Sequence, residues 1–501
     1  MSEQFSKQVE EIALRGLALM RVPGVAVAVV KDGETILAEG YGLANIEAAE
    51  NMTAEHVMPI GSSSKAFTAT GAAMLVSEGK LALDTPVRAY MPRFSLSDPV
   101  AAQSATTRDL LCHRTGLPRH DLLWITWPDV ERDELMFERL PHLGASAPFR
   151  SIWQYNNHMF GVAGRLIAEL TGKSWETFTR ERLFAPLGMR KSSFWQDAPD
   201  GEQKYATLYK EKDGAAAPCA TECVPAVGPA GAIRSTVNDM ARWLKFNLAR
   251  GKFDNTELLS EAAFAELWTP NIPYKLFPFE VEQVRRIGYA LGWFVDSYRG
   301  ELRVDHGGNV SGSTTLVSML PEKNIGVVVL TNADSNVLTY ALVSAIQDIL
   351  LGKPNETDWL NFYQDKYDEM KRKSDEDIAK LLGEKLPDKP ATHALDEYAG
   401  IYANPGYGKI RVFADAGLNV DMHGNIFPLE HRHYDIFSVK IHDVPIPVSF
   451  KTAVDGSIEA ISIQLELSLP EPIVYKRAAP AASEAAAPEK TTSEAAASEE
   501  P

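Results

Sequence analysis

Cysteine is scarce: the chain has three in 501 residues, Cys112, Cys219 and Cys223. That is too few for a disulfide framework, and Cys219-x3-Cys223 has no second pair to complete a zinc site. No apolar run reaches the roughly 18 residues that a membrane span requires. The opening stretch, "MSEQFSKQVEEIALRGLALMRVPG", lacks the basic region and continuous apolar core of a secretory signal and reads as a surface helix. Basic excess is missing too, since 67 acidic against 50 basic residues give a formal charge of −17, which repels phosphate backbones and anionic membrane surfaces. Nucleic acid and membranes are therefore not expected as partners, and a reducing cytoplasm is the simplest setting.

Hydrophobic content of 45% and charged content of 23% are ordinary for a globular protein, and the length predicts two or three folding units. "VPGVAVAVVKDGETILAEGYGLA" gives two strand-forming runs separated by Lys31-Asp32-Gly33, a hairpin signal that belongs near the edge of an antiparallel sheet. From Ser62 to about Ser235 helical segments and polar loops take over, and strand signals return in "RVDHGGNVSGSTTLVSMLPEKNIGVVVLTNAD", with a turn at residues 321–324. A β start, a helical middle and a β return predict one α/β (α+β) unit, residues 1–352. In it the two chain ends close a single antiparallel sheet flanked by helices, and a mainly helical insertion leaves a cleft. Residues 353–393 read as a charged helical linker. Short alternating runs over residues 394–477 predict a separate small antiparallel, barrel-like all-β domain. The tail, residues 478–501, has almost no large apolar residue and is expected to be disordered.

Chemistry is concentrated in three motifs. In "MPIGSSSKAFTATGAAML", Ser62 and Lys65 are three apart at a helix start, so the Lys65 ammonium can fold back beside the Ser62 hydroxyl. The helix dipole there favours a developing oxyanion, and apolar neighbours can desolvate Lys65 into a proton acceptor. Ser is also a favoured helix cap, so the motif alone leaves an ordinary N-terminus open. In "WQYNNHMFGVAGRLIAEL", Tyr155 beside cations can lose its proton and relay it, while Asn157 can accept from Lys65 or donate to a substrate carbonyl. Asn156 or Asn157 can equally cap the helix. "VDHGGNVSGS" places His306 on a strand, free to bond a substrate carboxylate or to protonate. Gly307 and Gly308 beside it let substrate lie close, and the N–H of Asn309 can serve as an oxyanion donor together with that of Ser62.

In order and spacing, Ser62-Ser63-Ser64-Lys65, Tyr155-Asn156-Asn157 and His306-Gly307-Gly308 resemble the penicillin-recognising serine hydrolases, in particular the class C β-lactamase and D-alanyl-D-alanine peptidase family that includes esterases and D-aminopeptidases. Framework pieces such as "TTRDLLCHRTGLP", "LFAPLGM" and "GPAGAIRSTVNDMARWL" extend the resemblance over most of residues 20–350. It implies that Ser62 attacks an acyl carbonyl and that Lys65 and Tyr155 handle the proton. Asn157 would orient the substrate, the Ser62 and Asn309 amides would bind the oxyanion, and water would release the acyl-enzyme. No cofactor or metal is implied. The C-terminal segment resembles the small lipocalin-like β domain of some of these hydrolases, which implies a role in limiting substrate size or supporting a homo-oligomer.

One departure is informative. Many relatives have Lys-Thr-Gly where this chain has His306-Gly307-Gly308, and a histidine is mostly neutral near pH 7 where a lysine carries a fixed charge. The resemblance therefore points away from efficient β-lactam hydrolysis and toward hydrolysis of a small amide or ester, including peptides with a D-residue. Acyl transfer on the same scaffold and a penicillin-binding module with little turnover are the alternatives. His423, His431 and His433 lack an acidic or cysteine partner at metal-ligand spacing, and His113 reads as a structural histidine at a helix end. The insertion "PRHDLLWITWPDVERDELMFERLPHL" is aromatic enough to line a substrate pocket.

Overall fold

The computed structural model describes residues 2–199, 201–221, 225–274, 280–353 and 356–478. Cys223 and the tail from residue 479 on lie outside the described residues. The chain divides into two compact units, residues 1–383 with 405–407 and 464–472, and residues 384–404 with 408–463 and 473–501.

The first unit is built on Gly24–Lys31, GVAVAVVK, a run of small and β-branched residues buried along nearly its whole length. Such a strand needs cover on both faces, and it has it. It pairs antiparallel with Glu34–Asn45 on one side and with Ile325–Thr331 on the other, so the two ends of the unit do close one sheet. The hairpin loop is Asp32-Gly33, both with positive φ (52° and 82°), the geometry of a two-residue turn that matches strand twist. Eight strands follow in spatial order 284–289, 294–298, 301–310, 313–320, 325–331, 24–31, 34–45 and 50–51.

Side chains alternate across the sheet. Val25, Val27, Val29, Val327 and Val329 face the opening helix Ser2–Met20, through Phe5, Val9, Ala13 and Leu17, and the helix Leu338–Leu350. The opposite face carries Val237–Leu248, whose Leu244 lies within 3.1–3.3 Å of where a Cβ on Gly326 would stand. The charged stretch expected as a linker is a single helix, Trp359–Leu382. Its first turns bring Trp359, Leu360 and Tyr363 into the core of the first unit, so that end of it is part of the sheet's cover rather than a free connection.

The helical insertion surrounds Ser64–Ser77. Every residue from Ser64 to Leu75 is buried, as expected of a helix apolar on all sides. Small residues make this possible: a Cβ on Gly71 would fall 3.1 Å from the Phe178 ring, and Phe67 stacks on Trp243 at 3.8 Å. The helix Asn157–Thr171 starts at Asn156, whose side chain accepts from Met159 N, and stops at Gly172 with φ +70°.

In the second unit eight strands between residues 400 and 477 form a closed antiparallel barrel. Alternation sets its inside: in Gly408–Ala414, Ile410 and Val412 are buried while Lys409 and Arg411 are exposed. Pairing of Tyr402 with Arg477 and Ala403 with Lys476 closes the ring, which leaves no open sheet edge.

Candidate active site

The stretch "GSSSK" is a helix entrance held on three sides. Gly61–Ser63 form a 3-10 turn that runs directly into the buried helix. The three serines are engaged differently. Ser62 is half-buried and lies 2.9 Å from Lys65 Nζ, Ser63 Oγ donates to His306 O at 3.1 Å, and Ser64 Oγ accepts from Ile233 N at 3.2 Å. Ser63 and Ser64 thus tie the turn to two strands, which fixes Ser62 between them.

Lys65 is fully buried, and its Nζ reaches three acceptors: Ser62 Oγ at 2.9 Å, Asn157 Oδ1 at 2.7 Å and Ala230 O at 2.9 Å. It also sits 4.7 Å from the centre of the Tyr155 ring. Burial pushes the amine well below its ordinary pKa; the Arg119 charge lowers it further and Asp121 opposes.

Tyr155 bonds the Ser62 side chain, and the Arg119 guanidinium lies 5.0 Å over its ring. Burial raises its phenol above the ordinary value and outweighs Ser62 and Arg119, which pull it down. The nearby cation Arg119 does ease deprotonation, as expected, but burial outweighs it and favours the phenol form, able to accept one hydrogen bond and donate another. Asn157 accepts from Lys65, as expected, and its Nδ2 donates to Asp121 Oδ1 at 3.0 Å.

His306 is where sequence and structure differ most. Its Nδ1 lies 2.6 Å from Gly307 O, an acceptor only, so Nδ1 carries the hydrogen; Nε2 then accepts from Tyr289 OH at 3.0 Å. Burial, with Lys65 adding to it, drops its pKa to about 3. An uncharged imidazole with both nitrogens engaged offers neither a proton nor a charge to a substrate carboxylate, so the role drawn from sequence is replaced by that of a brace on the strand.

The glycines have a steric reason. A Cβ on Gly308 would stand 2.0 Å from Ile60 O and 2.9 Å from Ser62 N, and one on Gly61, at φ +49°, would stand 3.0 Å from Asn309 N. Bare backbone at both positions lets the strand Glu301–Val310 touch the serine turn. Gly307 is less confined, with its nearest contact at 3.3 Å. Asn309 turns its side chain away, its Oδ1 accepting from Thr314 Oγ1 at 2.9 Å and Ser335 N at 2.8 Å, while its amide stays beside Gly61.

A cleft opens at Ser62, walled by Pro59, Trp124, Asn157, Trp195, Thr221, Val227, Ala230 to Ala232, Asn309 and Val310. Trp124 comes from the aromatic insertion, as anticipated. None of the described residues lining it is charged. Sequence reasoning missed Asp121, Arg119, Tyr289 and Trp195. Arg119 and Asp121 sit in "GLPRHD", which overlaps the framework piece "TTRDLLCHRTGLP", and Tyr289 opens a further framework piece of the resemblance, "YALGW", whereas Trp195 carries no motif. His113, fully buried, accepts from Asn156 N at 3.1 Å and packs 4.4 Å from the Tyr155 ring centre, which is the structural place expected for it. Among the described residues no group of three or more His, Cys, Asp or Glu converges as a metal site, and no helix is long and apolar enough to cross a membrane.

Comparisons with known proteins bear on the family and the fold. The chain is 29% identical over 491 residues to the Unguisins hydrolase ungD′ of Aspergillus campestris, covering 92% of this chain and 89% of the relative. Its fold is shared with the octameric penicillin-binding protein homologue from Pyrococcus abyssi (TM-score 0.63, 23% identity, 94% of this chain and 99% of the other). It is shared as well with the D-amino acid amidase of Ochrobactrum anthropi (TM-score 0.58, 24% identity, 70% and 98%). Residues 384–473, which include most of the barrel, match a domain of unknown function, DUF3471. Residues 15–345, the stretch that holds Ser62, Lys65, Tyr155 and His306, match the Beta-lactamase family, and with more than half of its length so matched the chain is a member of that family.

Proposed function

We propose that this protein is a metal-independent serine hydrolase that forms an acyl-enzyme on Ser62 and hydrolyses a small amide or ester. The observation that carries this reading is the state of Lys65, a buried amine held 2.9 Å from Ser62 Oγ and pushed toward its neutral form. As an amine it donates its two hydrogens to Asn157 Oδ1 and Ala230 O, which leaves the lone pair to accept the Ser62 proton. Ser62 Oγ then bonds the acyl carbon, and the amides of Ser62 and Asn309 receive the oxyanion. Tyr155, still protonated and bonded to Ser62, donates to the leaving group and is refilled from Lys65. Water reverses the sequence and frees the acid.

The leaving group takes its proton from Tyr155, so the acyl part occupies the cleft beyond Asn157, where Trp124, Trp195, Val227 and Val310 form an uncharged, aromatic wall. An apolar acyl side chain fits that wall. The names of two similar proteins, an Unguisins hydrolase and a D-amino acid amidase, support a hydrolase reading, and the second supports a D-residue substrate. Homo-oligomer formation belongs to the same reading, supported by the octameric neighbour, and light scattering of the full chain reads it directly. The test is a panel of p-nitroanilides of D- and L-amino acids, p-nitrophenyl esters and nitrocefin, with mass spectrometry of the intact protein. Turnover of apolar D-amino-acid amides or esters with an added acyl mass on Ser62 is the expected result; undiminished turnover by Ser62→Ala would overturn the assignment.

A further inference from the structure

Asp121 joins the catalytic cluster to the cleft wall. Its Oδ1 accepts from Asn157 Nδ2 at 3.0 Å and from Trp124 Nε1 at 3.1 Å, and its Oδ2 receives Arg119 Nε at 2.6 Å and Nη2 at 2.5 Å. The carboxylate side chain is 15% exposed and that of Arg119 53%, so the pair reaches from the buried amide to the surface. Four donors on one carboxylate exceed what a helix start needs, and all four belong to groups that touch Tyr155, Lys65 or the cleft.

We propose that the Arg119–Asp121 ion pair is a positioning pair for acylation: Asp121 fixes the Asn157 amide and the Trp124 indole, and so turns the Lys65 lone pair onto Ser62. This rests on the reading of Ser62 as nucleophile. The match of donors to acceptors requires it. A carboxylate only accepts, so Asn157 must present Nδ2 to Asp121 and Oδ1 to Lys65. Ala230 O only accepts as well. A neutral amine has two hydrogens and one lone pair; with both hydrogens claimed, the lone pair is left for the Ser62 hydroxyl. Were the amide reversed, Nδ2 would claim that lone pair, and Lys65 would lose the means to take the Ser62 proton.

Charge supplies the second half. Lys65 faces the Arg119 cation, the Asp121 anion and three neutral rings, Tyr155, His113 and His306. Asp121 faces His120 and His158, both held below their ordinary pKa by burial, and Glu466 of the same unit faces Arg119. Arg119 disfavours an ammonium on Lys65 and Asp121 favours it, so removing one partner at a time moves Lys65 in opposite directions.

The experiment follows the rate at which a fluorophosphonate labels the full-length protein as a function of pH. In that reaction Ser62 Oγ bonds phosphorus as the P–F bond breaks, fluoride leaves, and the Ser62 proton passes to Lys65. Arg119→Gln raises the acid limb by roughly half a unit to one unit of pH, and Asp121→Asn lowers it by a similar amount while cutting the plateau rate about tenfold or more. Arg119 is half exposed, so its variant folds even where Asp121→Asn does not. Limbs that stay in place, or move the same way in both variants, overturn the positioning role. Ser62→Ala separates this from the underlying reading: a variant that still labels and turns over removes the nucleophile itself, whereas an inert one with unmoved limbs in the other two overturns the pair alone.

Discussion

Tyr289 and His306 are locked to each other, the phenol donating to Nε2 at 3.0 Å while Nδ1 donates to the neighbouring Gly307 carbonyl at 2.6 Å. The strand that flanks the serine is thus braced from within, at the position where many relatives place a fixed charge. Tyr289→Phe leaves a buried imidazole nitrogen without a partner, which costs about 1–3 kcal/mol. Urea unfolding should show that loss. The acid limb of the pH–rate profile should stay in place, because His306 contributes no titration near neutral pH.

Acid should destabilise the fold through its buried histidines. Burial holds His306 at about 3 and His158 at about 4, both below the ordinary value near 6.5. The unfolded chain therefore binds more protons than the native one in this window. The stabilisation is complete above about pH 6.5 and is lost as pH falls through the folded-state values, at about 1.4 kcal/mol per pH unit for each residue. Between pH 6.5 and 5 that amounts to about 2 kcal/mol each, read as a falling Tm in thermal melts, and His158→Gln should flatten the slope.

Lys65 tests the proton path by two routes. Lys65→Met fits a buried apolar site but has no lone pair, and Lys65→Arg keeps the donors but cannot deprotonate. Both should lower kcat by about a thousandfold or more while Ser62 stays in place, since general-base help is worth roughly two to four orders of magnitude. Single-turnover acylation measures it. Near-normal rates in Lys65→Arg would exclude a neutral amine as the base.

What the sequence made legible was local or periodic. Ser62 and Lys65 lie on one helical turn, so three residues suffice to show their contact. Val-rich runs and the Asp32-Gly33 turn give the hairpin, and alternation gives the barrel strands. Closure of the barrel, by contrast, depends on strands as far apart as Tyr402 and Arg477, 75 residues along the chain. The neutrality of His306 comes from burial, with Lys65 adding to it, and the grip of Asp121 on Asn157 spans 36 residues that include several short helices. Neither has a local pattern to reveal it. Likewise, Trp359, Leu360 and Tyr363 at one end of Trp359–Leu382 decide that the helix packs on the core, although the rest of it is rich in charge.

The two glycines after His306 should differ in tolerance, and this separates backbone approach from mere flexibility. A methyl on Gly308 would lie 2.0 Å from Ile60 O and 2.9 Å from Ser62 N, and backbone atoms on both sides have no rotamer by which to retreat. Gly308→Ala must therefore push the strand from the serine turn, displacing the Asn309 amide from Ser62 and breaking the bond from Ser63 to His306 O. Loss of an oxyanion donor costs about a hundredfold to a thousandfold in kcat. At Gly307 the nearest atom would be Thr315 O at 3.3 Å, a contact that a few tenths of an ångström relieves. Gly307→Ala should keep turnover within about tenfold of the parent. Parallel kcat measurements on the two variants, with circular dichroism to confirm folding, give the comparison; equal losses would mean that the approach of Gly308 to the serine turn has no part in catalysis.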